Sequence, residues 1–346
     1  MEKLNDKIKY ISEIYIDKLW NDKELSIKWK LNADVNILAG DNGSGKSTVL
    51  QLIAGTCLQK FDKEYLYNSA NFLQIIFDKD IECKFFSKQL ISDKSLSDSN
   101  FTSSLPQDIL QTSQNTLGLF LVKRNFYAEY TDIRVFNGNK SQSLNIKINF
   151  IDTFDVPLKE RESIQKLTGT DIITELDWQL YQLEISYKNY QIDIGKRLYN
   201  ALESGVKDAK SKVYSQRNLF WELIDGLFSH TKKKIDRDSN DILFRDKNNN
   251  PINTYRLSSG EKHMIIMLLT TLIQDNQPAI MIIDEPENSL HTDWQRTLIE
   301  NIRSLNPNAQ LIISTHSPAI VMNGWQDKIF EIDELFTQNK EEKIKS

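Results

Sequence analysis

Gly40-Asp41-Asn42-Gly43-Ser44-Gly45-Lys46-Ser47-Thr48 fills every fixed position of the phosphate-binding pattern G-x-x-x-x-G-K-[ST]. The flanks fit as well. Val35 to Ala39 is a short apolar run that reads as a buried strand, and Val49 to Ala54 continues as a helix. Gly40, Gly43 and Gly45 let the backbone aim successive N–H groups into one concavity, and the helix N-terminus adds partial positive charge there. Asn42, Ser44 and Thr48 belong to the same cradle. Lys46 is expected to reach the β- and γ-phosphates, and the Ser47 hydroxyl to ligate Mg²⁺. The stretch therefore predicts a nucleoside triphosphate site at the edge of an α/β sheet.

A second half of that site is expected far downstream. Ala279-Ile280-Met281-Ile282-Ile283-Asp284-Glu285-Pro286 is an apolar run ending in two acids, as in a parallel strand covered on both faces. Its acids fall at the carboxyl end, where open α/β sheets bind ligands. Adjacent strand residues point to opposite faces, so the two acids take different roles. Asp284 is expected in the Mg²⁺ shell, and Glu285 is expected to polarise the water that attacks the γ-phosphate. Leu257-Ser258-Ser259-Gly260-Glu261-Lys262 opens an apolar helix with serine caps and an acid in its first turn. Gln310 to Ser314 reads as another buried strand, followed by Thr315 and His316.

Composition narrows the class. The chain has 346 residues, 40% of them hydrophobic and 26% charged, which suits one large soluble domain or two lobes. A net charge of −5 gives no global case for nucleic acid. Cys57 and Cys83 are the only cysteines, which fits a reducing, cytoplasmic setting. No apolar stretch is long enough to cross a membrane, and no signal-peptide core opens the chain.

The four elements in this order resemble the ATP-binding-cassette ATPases: Walker A at 40–48, a signature at 257–261, Walker B at 279–285 and a switch histidine at His316. Asn288-Ser289-Leu290-His291 stands at the D-loop. Within that family, Leu-Ser-Ser-Gly-Glu-Lys, Asp-Glu-Pro-Glu-Asn-Ser-Leu-His and Ser-Thr-His-Ser-Pro are similar to the RecF, OLD and SMC branch. The resemblance implies a cassette head with a mixed β-sheet core, an antiparallel β subdomain and an inserted helical arm. It also implies ATP and Mg²⁺ as ligands, and a homodimer in which Ser258, Ser259 and Gly260 close over the partner's ATP. His316 would contact the γ-phosphate. The Q-loop glutamine stays open among Gln74, Gln89 and Gln107.

We expect a discontinuous nucleotide-binding domain over 1–150 and 236–346, with a helical insertion over 151–235. Phe72 to Phe86 reads as antiparallel strands, 87–116 as a loop, and Gly118 to Val122 as a return to the central sheet. Lys123 and Arg124 after it read as a surface pair or as nucleotide-facing. Thr170 to Leu202 and Asp208 to Phe228 read as long helices broken near Gly205. From Lys188 to Arg237, 11 basic residues face 6 acids, densest at Lys232-Lys233-Lys234, so DNA or RNA contact is one expectation and a protein-docking surface the other. Ile242 to Arg245 and Ile252 to Tyr255 read as a hairpin.

Compact members of this branch resemble the ATPases of anti-phage systems, such as PtuA-like proteins, paired with a separate nuclease. Only 30 residues follow His316, so cutting is expected of another polypeptide. The alternatives are a RecF-like repair ATPase that binds DNA itself and a transporter motor. The transporter's double-glycine signature is absent.

Overall fold

The computed structural model describes residues 8–22, 24–58, 61, 64–78, 81–87, 118–123, 132–135, 146–153, 157 and 172–336. Its first half runs β1 (Ile11–Asp17), β2 (Ile27–Lys30), β3 (Val35–Ala39), α1 (Lys46–Leu58), β4 (Phe72–Phe77), β5 (Glu82–Ser87), β6 (Gly118–Lys123), β7 (Asp132–Val135) and β8 (Lys147–Asp152). Two long helices follow, α2 (Glu175–Glu203) and α3 (Ala209–Leu227). The remainder is β9 (Lys234–Ile235), β10 (Leu243–Arg245), β11 (Pro251–Asn253), α4 (Ser259–Ile273), β12 (Ala279–Asp284), α5 (Thr292–Leu305), β13 (Ala309–Ser314), α6 (Pro318–Val321) and β14 (Ile329–Glu331).

The continuous apolar runs make the central sheet. Five parallel strands lie in the order β14-β3-β13-β12-β8. Successive residues alternate between two cores, as a period of two requires. Ile280, Ile282, Ile312 and Leu38 join α1 in one core, whereas Met281, Ile283, Leu311, Ile313, Val35 and Ile37 join α4 in the other. Both faces are thus covered, which is why these strands carry no polar alternation. Burying a side chain such as Ile282 contributes about 2 kcal/mol.

The β-branched and aromatic stretches build a six-stranded sheet in the order β2-β1-β4-β5-β6-β7, antiparallel throughout. Helix α1 is wedged between the two sheets, with Val49, Leu50 and Ile53 sharing a core with Ile75 and Phe85. Buried Gln310 ties the sheets together. Its amide accepts from Ile11 N at 2.8 Å and donates to the carbonyls of Ile11 at 2.8 Å and Asn32 at 2.7 Å. One expectation is corrected here. Residues 118–122 form β6, paired with β5 and β7, and do not return to the central sheet. The outer central position beside β12 belongs to β8. The expected loop over 87–116 lies outside the described residues beyond Ser87, as does Arg124.

Helix α2 starts at Glu175 because Thr174 and Asp177 close a capping box. Asp177 N donates to Thr174 Oγ1 at 3.2 Å, and Thr174 N donates to Asp177 Oδ2 at 3.3 Å. Its end is a Schellman turn: Gly205 has φ 66°, and Val206 N donates to Ala201 O at 2.9 Å. Leu176, Leu180, Tyr187, Tyr190 and Ile194 of α2 and Phe220 and Ile224 of α3 join the α4 core. The two helices therefore lie along the head rather than projecting from it. Among the described residues, no helix is long and apolar enough to cross a membrane.

Candidate functional site

At the mouth between β3 and α1, Gly40, Gly43 and Gly45 have φ of 147°, 79° and 102°. The first and last are also held by contact. A Cβ on Gly40 would meet Ile332 Cγ2 at 2.7 Å, and one on Gly45 would meet the Trp20 ring at 2.5 Å. Lys46, 3% exposed, donates from Nζ to the carbonyls of Gly40 at 2.8 Å and Asp41 at 2.9 Å. Its ammonium is thus held against the loop that it would serve. Residues Gly40 to Asn42 face Thr315, His316 and Ser317 across a cleft of about 620 Å³, within the usual range for a small-ligand site. Ser44 and Thr48 are half-buried in the same turn.

Walker A meets Walker B at the end of the sheet. Ser47 Oγ donates to Asp284 Oδ1 at 3.0 Å, and Ser314 Oγ donates to the same oxygen. The other oxygen, Asp284 Oδ2, is buried without a hydrogen-bond partner. Burial pushes the Asp284 carboxyl above its ordinary value. Asp152 and Glu285 add to the rise, against the hydrogen bonds from Ser314 and Ser47. A half-buried hydroxyl and a buried carboxylate with an unpaired oxygen form a hard-oxygen donor set that suits Mg²⁺.

Glu285 differs from Asp284 for a reason beyond strand alternation. It leaves the strand in the left-handed region with φ 45°, a conformation costing a glutamate about 1–3 kcal/mol. The turn is over-determined. Glu285 N donates to Ser314 Oγ at 3.0 Å and Ser314 O at 3.1 Å, while Thr153 Oγ1 donates to the carbonyls of Asp284 and Glu285, both at 2.8 Å. His316 Nδ1 lies 4.0 Å from Glu285 Oε1 and 3.1 Å from Glu287 Oε1. Glu287 also accepts from Thr315 Oγ1 at 2.7 Å and His316 N at 2.8 Å. Thr153, Ser314, Glu287 and Trp20 were not singled out as site residues by sequence. Glu287 and Ser314 had a visible signal, in the Asp-Glu-Pro-Glu-Asn-Ser-Leu-His stretch that runs on past Walker B and in Ser-Thr-His-Ser-Pro.

The signature stands apart. Ser258 caps α4, accepting from Glu261 N at 3.3 Å and donating its own N–H to Glu261 Oε2 at 2.9 Å. Ser258 and Ser259 are exposed and do not line the cleft. Gly260 is packed so closely on the D-loop that a Cβ would collide with the Ser289 carbonyl. Glu261 is saturated by Thr231 Oγ1 at 3.0 Å and Lys233 Nζ at 2.7 Å, and Lys262 Nζ reaches Asp177 Oδ1 at 2.7 Å. Glu184 of α2 accepts from Thr254 Oγ1 at 2.6 Å and Tyr255 OH at 2.8 Å, just before the signature. Of the glutamines considered for the Q-loop, Gln74 sits in β4 opposite Tyr15 and Lys84. Gln89 and Gln107 lie outside the described residues.

Residues 175–323 match the family described as "AAA domain, putative AbiEii toxin, Type IV TA system". The chain is 25% identical to "Retron Vc95 probable ATPase" from Vibrio cholerae serotype O1 biovar El Tor, over 87% of this chain and 69% of that one. It is 22% identical to "Septu protein PtuA" from Bacillus thuringiensis, over 90% and 72%. This chain is an ATPase, similar to those of anti-phage systems. A solved Smc head domain bound to the C-terminal domain of ScpA, derived from Pyrococcus furiosus, aligns over 98% of the ATPase and 100% of its own chain, at TM-score 0.45 and 12% identity.

The ATPase's basic segment is less free than its composition implies. Five of the 11 cations are engaged: Lys188 with Asp241, Lys196 with Asp193, Arg197 with Asp275, Lys233 with Glu261 and Arg237 with Asp225. Arg217 lies over the rings of Tyr214 at 3.9 Å and Trp221 at 4.3 Å. Lys232 and Lys234 line a cleft of about 810 Å³ together with four acids (Asp225, Asp236, Asp238 and Asp246) and four more cations (Lys233, Arg237, Arg245 and Lys247).

Proposed function

We propose that two copies of this chain sandwich two ATP molecules, and that this closure switches an anti-phage complex through a separate effector such as a nuclease. The observation that carries the reading is the Ser47–Asp284–Ser314 cluster, with Glu285 and His316 beside the cleft. In this reading Lys46 exchanges the Gly40 and Asp41 carbonyls for phosphate oxygens. Ser47 and Asp284 hold Mg²⁺, which when bound neutralises charge on the phosphates. Glu285 takes the proton of the attacking water, and ADP and phosphate leave. His316 faces the terminal phosphate from the far wall of the cleft. Ser258, Ser259 and Gly260 serve the partner's ATP, since the two serines are exposed with no task in their own cleft.

A protein effector is favoured over DNA or RNA as the partner at Lys188 to Arg237. The cleft beside Lys232 and Lys234 mixes four acids with six cations, and Lys233, Arg237 and Arg245 are already in ion pairs, so little uncompensated positive charge is left there for phosphate. The test is ATP turnover and light-scattering mass of the purified chain. Glu285→Gln should bind ATP and persist as a dimer, with turnover lost. A Glu285→Gln chain that stays monomeric with saturating ATP sinks the sandwich.

A further inference from the structure

We infer that Glu287 is the positioning residue for His316: it fixes the imidazole so that Nδ1 is committed and Nε2 alone is left for the terminal phosphate. The inference rests on the ATPase reading above and adds a residue to it. Two donors converge on Glu287 Oε1, the Thr315 hydroxyl at 2.7 Å and the main-chain N–H of His316 at 2.8 Å, and the His316 ring Nδ1 lies 3.1 Å from the same oxygen. The carboxylate itself is 6% exposed, whereas the ring is 44% exposed and lines the cleft opposite Gly40 to Asn42. One buried acid therefore sets both the backbone and the ring of the residue that follows β13.

The chemistry follows from donors and acceptors. A carboxylate only accepts, so the ring must donate from Nδ1 to be held. That places the second nitrogen away from Glu287, on the open side. A phosphate oxygen is also an acceptor, so the ring meets it by donating from Nε2. With an acceptor at each end, His316 spans Glu287 and the terminal phosphate through its two nitrogens. Loss of the γ-phosphate removes one acceptor and leaves the ring on Glu287 alone. A carboxylate that orients a histidine is a recurrent device, and its removal typically costs roughly 10–100-fold in activity.

The test combines kinetics with a tautomer readout on the full chain. Glu287→Ala should lower kcat roughly 10–100-fold with KM within about twofold, and His316→Ala should do the same. Because Glu287 acts through His316, the double variant should be no slower than His316→Ala. Multiplicative losses in the double variant would overturn the inference. The chain has four histidines, so the ¹⁵N signals of His316 can be assigned by difference from His316→Ala. They should report Nδ1–H in the wild type and lose that preference in Glu287→Ala. If the alanine variant does not fold, Glu287→Gln keeps an acceptor for Thr315 and the main chain. Because the same acceptor still faces the ring, that variant should keep the Nδ1–H preference with kcat near wild type; a folded glutamine variant that keeps the preference yet loses kcat as fully as His316→Ala overturns the inference. Failure of the broader reading looks different: the wild-type chain itself then leaves ATP intact.

Discussion

The phosphate-loop edge and the signature edge sit at the starts of two helices, α1 and α4, yet they are built in opposite ways. At the first, polar groups are left over. Asp284 Oδ2 and Glu287 Oε2 are buried without partners, Ser44 Oγ likewise, and Glu285 is strained. At the second, the charged groups are committed. Ser258 and Glu261 cap each other, Lys233 and Thr231 complete Glu261, and Asp177 holds Lys262. Buried polar groups without partners cost about 1–3 kcal/mol each. The contrast teaches that the first edge sacrifices stability for ligand chemistry, while the second is a rigid part presented outward.

If so, substitutions at the two edges should divide between activity and stability. The largest effect belongs to Glu285→Gln, which should cut kcat by roughly 10²–10⁴-fold while leaving thermal stability near wild type. Steady-state ATPase assays and calorimetry check both halves. Gly260→Val should act the other way. Its side chain collides with the Ser289 carbonyl, so the D-loop must move, at roughly 1–3 kcal/mol by denaturant titration. A Gly260→Val chain as stable as wild type would break the comparison.

Lys233→Ala should cost about 2 kcal/mol at neutral pH. Burial alone would raise the Glu261 carboxyl, but Lys233, the Ser258 N–H and Thr231 together hold it below its ordinary value. A lowered carboxylate stabilises the fold above the unfolded value of about 4.3 and loses that stabilisation as pH falls. The gap between wild type and Lys233→Ala should therefore be full at pH 7 and shrink below about pH 4. The smallest effect is a gain. Asp284 is raised, so its ionised form weakens the fold increasingly as pH climbs through that raised value. Asp284→Asn should raise Tm by roughly 1–3 °C at neutral pH while turnover is lost.

The motifs were legible because their chemistry fixes residue types at short spacing. Ser47 and Asp284 could be named from sequence, although 237 positions separate them. The β12 and β13 strands were legible because burial on both faces leaves an unbroken apolar run. That same property misled at 118–122, since an apolar run does not state which sheet it joins. Thr153 carries no local signal, and Ser314 shows only as the first residue of Ser-Thr-His-Ser-Pro. They matter only because the sheet brings three strand ends together. The basic count over Lys188 to Arg237 was a true count with a changed meaning, because Lys233 is spent inside the molecule on Glu261. The start of α2 was readable after all, in the Thr174-x-x-Asp177 box.

Trp20 lies with its ring against Gly45, 44% exposed, on a backbone with φ 55°. An indole so placed is a built-in optical reporter. Any rearrangement of the phosphate loop alters how water and charge surround that ring, so nucleotide capture should show, without an attached dye, in the part of the six-tryptophan emission that Trp20→Phe removes.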